Sequence, residues 1–124
     1  MIEPVLINYL ETTLEANEGV SIPVLMEIPE VPSESYPTWP ERMVVIEKVG
    51  GSQSNHIPQS SFAIQSYGET LYKAAALDEA VREAMDGFTE LDEISACRLS
   101  SNYNHTDTRM KVYRYQSVYD ITHY

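Results

Sequence analysis

An α+β fold, with one mostly antiparallel sheet of about five strands carrying two helices, is predicted by three observations. Residues 3–17 repeat apolar side chains at helical spacing; residues 61–88 pass from a two-residue alternation straight into a second helical pattern; and the chain from 93 onward alternates again. The expected order is α-β-β-β-α-β-β. A chain of 124 residues is the size of one domain, so 1–124 is taken as a single unit with one core.

In the first helix Val5, Leu6, Tyr9, Leu10, Thr13 and Leu14 share a face, with Asn8, Glu11, Thr12 and Glu15 opposite. Pro4 suits a first turn and Gly19 the position beyond the end. A short apolar strand is expected over 20–27, confined to an edge or bulged because Pro23 has no N–H to donate. Residues 28–41 hold Pro29, Pro32, Pro37 and Pro40, which reads as a surface loop; two formal P-x-x-P matches within it are expected to be connection, not ligand. Residues 42–49 are apolar on both alternating faces, as in a strand near the middle of a sheet. The polar run 50–59, including Gly50, Gly51, Ser52, Asn55 and His56, reads as a hairpin arm with a loop too long for a tight turn. It lacks the lysine of a phosphate-binding loop.

The return strand, 61–67, sets Phe62, Ile64 and Ser66 against Ala63, Gln65 and Tyr67. Ser66 and Glu69 have the spacing of a capping box. The helix after them lines up Leu71, Ala74, Leu77, Val81, Ala84, Met85 and Phe88 on one arc, with Glu69–Lys73 and Asp78–Arg82 as i,i+4 pairs in the favourable order. Gly87 is expected to end it in a left-handed conformation. On another face Tyr72, Ala76 and Ala80 recur every four residues, a stripe small enough for a second subunit to approach. Strands over 93–103 and 110–122 close the chain, joined by the polar loop 104–109 with Asn104 and Arg109. Tyr113, Tyr115 and Tyr119 alternate along the last strand; packing with the hydroxyl toward water is the default, and an interface the sharper alternative.

The net charge is −11, from 19 acidic and 8 basic residues. Residues 1–41 carry eight glutamates and no lysine or arginine, whereas 94–124 set Arg98, Arg109, Lys111 and Arg114 against Asp107 and Asp120. That balance argues against a phosphate-binding surface and suits head-to-tail contact between an acidic and a basic edge. No apolar run approaches the roughly 20 residues of a membrane span, and no signal peptide is read, so a cytoplasmic origin is expected. His56, His105 and His123 lack metal-ligand spacing, and Cys97 has no partner for a disulfide and reads as a small buried side chain. Neither catalytic residues nor a cofactor are predicted. An enzyme or ligand-binding domain, or a monomeric adaptor, remains the alternative of another class; the former would need a pocket with convergent polar groups.

The arm "VVIEKVGGSQSNHI", the strand-helix unit "FAIQSYGETLYKAAALDEAVREAMDG" and the closing strand "YRYQSVYDITHY" together resemble the small tail-completion and tail-terminator proteins of long-tailed bacteriophages and prophages. The resemblance covers nearly the whole chain. It implies a subunit that assembles as a ring, typically a hexamer, on the head-proximal end of the tail tube. There it would contact tail-tube protein and the head connector, as part of the virion assembled in the bacterial cytoplasm. DNA would pass through the ring without specific binding, an acidic wall letting it slide. Head-side neck proteins and minor tail proteins share these features. The contacts expected to serve assembly are the Gly50, Gly51, Ser52, Asn55 and His56 arm, the Tyr72, Ala76 and Ala80 stripe, and the Asn104 to Arg109 loop.

Overall fold

The structure, a computed structural model, describes residues 2–54, 57–107, 109 and 112–123. Its elements are α1 (Glu3–Glu18), β1 (Val24–Leu25), β2 (Arg42–Ser54), β3 (Ile57–Gly68), α2 (Leu71–Asp86), a 3-10 turn (Phe88–Glu90), β4 (Ile94–Asn104) and β5 (Tyr113–His123). This is the α-β-β-β-α-β-β order that the periodicity predicts. The five strands form one sheet in the order β1-β2-β3-β5-β4, antiparallel except for β1 against β2.

Leu6, Leu10 and Leu14 of α1 are fully buried, and so are Ala74, Leu77 and Val81 of α2. All of these but Ala74 meet Val44, Ile46, Phe62, Ile64 and Ile121 from one face of the sheet in a single apolar cluster. Removing such side chains from water, at about 25 cal/mol per Å² of apolar surface, is what holds both helices to the sheet. Gly19 closes α1 at φ 76°, and its N–H donates to the Glu15 carbonyl, as its position predicts. Tyr9 ties the two helices together: its hydroxyl donates to the Ala84 carbonyl at 2.6 Å, and its ring tilts against Phe88 with centroids 5.1 Å apart. Gly87 serves this contact. It sits at φ −94°, not in the left-handed region, and a Cβ there would stand 2.9 Å from the Tyr9 hydroxyl.

Several boundaries differ from the sequence reading, each for a physical reason. The first strand is two residues long, since Pro23 cannot donate and contributes only its carbonyl, which accepts from the Val44 N–H at 2.9 Å. β2 is buried on both faces through Met43 to Ile46, but it lies next to the β1 edge, and β3 takes the centre of the sheet. Over its described residues the arm is paired strand and not loop. The β2–β3 ladder continues to the Ser54–Ile57 pair, because backbone pairing does not require apolar side chains. Val49 is the extra residue of a bulge between Lys48 and Gly50, where the ladder shifts register. β5 is described from Tyr113; the expected start at Met110, with Lys111, lies outside the described residues.

The start of α2 also departs from expectation. Ser66 is inside β3 and fully buried, so it caps nothing; Thr70 is the cap, its Oγ1 accepting from the Lys73 N–H at 3.1 Å. Leu71, placed on the apolar arc by spacing, is exposed at the first turn. The Ser66 hydroxyl has no hydrogen-bond partner among the described residues, and a buried hydroxyl in that state costs about 1–3 kcal/mol. Ser66→Ala is therefore expected to raise stability by about 1 kcal/mol, read from the urea midpoint. A lowered midpoint would show that the hydroxyl is satisfied.

Candidate functional site

The strand order distributes the predicted contact residues over two ends of the sheet. At one end is the ribbon holding Gly50, Gly51 and Ser52, beside which β3 and β5 part after the Gln59–Thr122 pair. Beyond that point the Gln53–Pro58 and Ser54–Ile57 pairs extend the ribbon by about 7 Å, at 3.3 Å per residue. Asn55 and His56, also assigned to this arm, lie outside the described residues. At the other end are Tyr72 on the first turn of α2, Asn104 at the close of β4, and Arg109. Tyr72 is 83 % exposed and Ala76 is exposed, but Ala80 is half-buried and packs against the core, so the helix stripe is shorter than its spacing suggests. Asn104 Oδ1 accepts from the Thr106 N–H, and Asp107 Oδ1 accepts from the Arg109 N–H, both at 3.0 Å, so two side chains shape the loop's turns.

Two polar networks emerge that the sequence reading did not contain. On the helix face Asp78 makes the i,i+4 pair with Arg82 that its spacing predicts, but it is only 2 % exposed and has further partners. Its carboxylate accepts from Asn102 Nδ2 at 3.0 and 3.1 Å, from Ser117 Oγ at 2.9 Å and from Arg82 Nε at 3.1 Å. Asn102 Nδ2 also donates to Ser117 Oγ at 2.8 Å. One carboxylate thus joins α2, β4 and β5. On the opposite face Arg114 Nη1 donates to Tyr67 Oη at 3.0 Å, Tyr67 Oη to Gln65 Oε1 at 2.8 Å, and Gln65 Nε2 to Gln116 Oε1 at 2.9 Å. Gln116 Nε2 continues the line to Tyr103 Oη. The Arg114 guanidinium also stands 5.8 Å from the Tyr67 ring centroid. This row crosses three strands and fixes their side-chain register. Neither network has a periodic signature, since each depends on partners brought together by strand pairing.

Ser60 and His123 are buried and Cys97 is half-buried. Ser60 Oγ and His123 Nε2 share a hydrogen bond at 3.1 Å, a nucleophile-base type of contact. Ser60 is 3 % and His123 9 % exposed, however, so the pair is packed within the domain. Burial first, then the nearby Asp86 carboxylate, pushes the Cys97 thiol up to about 11; it is held as the neutral, weakly nucleophilic thiol at neutral pH. Burial likewise raises the Tyr119 phenol. An open groove of about 580 Å³ runs between α1 and the residues before β4, lined by Pro4, Val5, Tyr9, Thr12, Leu91 and Glu93. Its wall is mainly apolar, and the Tyr9 hydroxyl is already given to Ala84. Among the described residues no group of three or more His, Cys, Asp or Glu is placed to hold a metal ion, and no helix is long and apolar enough to cross a membrane.

Lys73 Nζ bridges Glu41 Oε1 at 2.6 Å and Glu69 Oε2 at 3.1 Å, and hydrogen bonding to Lys73 lowers the Glu41 carboxyl while Glu41 raises the Lys73 ammonium. These groups are exposed and screened, so they orient the 41–73 corner more than they stabilise it. No protein-family model matches the chain, and no curated protein matches it.

Proposed function

We propose that the chain is a structural assembly subunit of a phage tail: a tail terminator or completion protein that forms a ring on the head-proximal end of the tube and joins it to the head connector. The observation that carries this reading is the separation of two surface features at opposite ends of one sheet. A β ribbon projects at one end, and an exposed tyrosine, Tyr72, stands at the end where Asn104 and Arg109 turn the chain. A ring subunit needs such a division, with lateral neighbours on one surface and an arm toward the adjoining ring on another. The resemblance of the arm, the strand-helix unit and the closing strand to terminator proteins points the same way. The acidic balance of −11 suits a channel through which DNA passes without adhering.

The test is negative-stain electron microscopy of the purified protein at high concentration, alone and with polymerising tail-tube protein. Rings, or tubes whose growth stops at a capped end, are the expected result. Tubes of unchanged length with no cap bound would overturn the terminator role and favour a head-side joining protein.

A further inference from the structure

We propose that copies of this chain associate head to tail across the two edges of the sheet, the β1 edge of one copy against the β4 edge of the next. That any self-association occurs rests on the assembly reading above; the geometry comes from strand order and charge. The sheet runs β1-β2-β3-β5-β4, so the acidic N-terminal part of the chain supplies one edge and β4, whose one charged residue is Arg98, supplies the other. Directly after β1 come Met26 and Ile28, each 52 % exposed, with Glu27 and Glu30 exposed beside them. On β4 the Arg98 side chain is 81 % exposed and, among the described residues, pairs with Asp120 at 3.4 Å, and Leu99 and Tyr103 are 43 % and 42 % exposed. Each edge therefore combines large exposed apolar side chains with charge, Glu27 and Glu30 on one and, on the other, the Arg98 guanidinium that Asp120 only loosely holds.

The contact is made by side chains and not by extending the sheet. β1 offers only two residues for pairing, and β4 shifts register between Ile94 and Ala96 and again between Leu99 and Ser101. Bulges of this kind spoil an edge as a template for another strand. What remains is Arg98 set against Glu27 and Glu30, with apolar neighbours to exclude water from the contact. Because the two patches differ, the contact is heterologous, and its repetition gives a ring if the rotation closes.

Sedimentation equilibrium at low and high salt tests this, on the wild type, on Arg98→Glu, on Glu27→Lys/Glu30→Lys, and on a mixture of the two variants. The wild type is expected to associate at low salt and to weaken by about tenfold or more at high salt, where exposed charges are screened. Each variant alone carries like charges on both edges and is expected to stay a single copy. Mixed, they present opposite edges and are expected to associate again, which a misfolded variant could not do. A wild type that remains a single copy at low salt, or a mixture that stays dissociated, would overturn the proposal. Tube capping by Arg98→Glu at wild-type efficiency would overturn this interface and leave the terminator reading standing; salt-sensitive association without capping would do the reverse.

Discussion

Asp78→Ala is expected to lower folding stability by about 3 kcal/mol, one of the two largest effects foreseen for a single side chain in this protein. The carboxylate accepts four hydrogen bonds, from two nitrogens and an oxygen on three separate side chains, with Asn102 spanning both of its oxygens. Hydrogen bonds to a charged group are each worth about 1.5–3 kcal/mol, and they are not additive within one network. Removing the acceptor leaves the Ser117 hydroxyl, which is fully buried, without its acceptor. Arg82 loses little, because its side chain is 42 % exposed and water replaces the carboxylate. The urea midpoint should fall with the slope unchanged, while Glu79→Ala, at the exposed neighbouring position, should stay within about 0.5 kcal/mol of wild type. An Asp78→Ala protein as stable as the Glu79→Ala control would mean that the network holds nothing.

The consequence for function lies in β4. That strand is an edge, exposed along most of its length, with Ile94 its fully enclosed apolar anchor. Asn102 attaches its far half to the body of the domain through Asp78 and Ser117. Loss of Asp78 should therefore loosen the part of β4 that carries Tyr103 and leads into the Asn104 to Arg109 turn. Hydrogen exchange at 99–104 should quicken more than exchange in β3, which is paired on both sides.

What could be read in advance follows from the range of the interactions involved. The α1 face of Leu6, Leu10 and Leu14 and the alternation of Phe62 and Ile64 are local patterns, and both are buried as the periodicity predicts. Gly19 likewise acts through its own backbone. The errors occur where a local pattern competes with a distant partner. Ser66 and Glu69 have the capping spacing, yet pairing of β3 with β2 and β5 carries the strand through Ser66 to Gly68 and leaves Thr70 to cap. Asp78 and Arg82 form the pair that i,i+4 spacing predicts. The burial of Asp78 depends on Asn102 and Ser117, which are 24 and 39 residues away and reach it only through the β4–β5 register. The polar ribbon reads as a loop because its side chains carry no alternation, although its backbone groups pair regardless.

Gly68→Ala is expected to destabilise the protein by about 3 kcal/mol, at the upper end of the usual cost of overpacking. A Cβ at this position would stand 2.5 Å from the Ala74 nitrogen, 2.8 Å from the Lys73 carbonyl carbon and 2.9 Å from the Lys73 Cβ. Two of these are backbone atoms of the first turn of α2, so no side-chain rotation relieves the clash. The turn cannot move freely either. Its Lys73 N–H is held by Thr70 Oγ1 and its Ala74 N–H by the Thr70 carbonyl at 3.0 Å, while Gly68 is pinned between Arg42 of β2 and Tyr113 of β5. Either the cap opens or the end of β3 leaves the sheet. Gly50→Ala is the control: its Cβ would meet Ser61 Cβ at 3.8 Å, an ordinary contact, and a change within about 0.5 kcal/mol is expected. The close approach that forbids a side chain at 68 also sets where α2 begins, and hence where Tyr72 stands relative to Asn104 at the same end of the sheet. Thermal unfolding of the two variants decides the matter. Equal midpoints for Gly68→Ala and Gly50→Ala would mean that the helix can step away from the strand, and that this end of the molecule is less rigid than a fixed assembly surface requires.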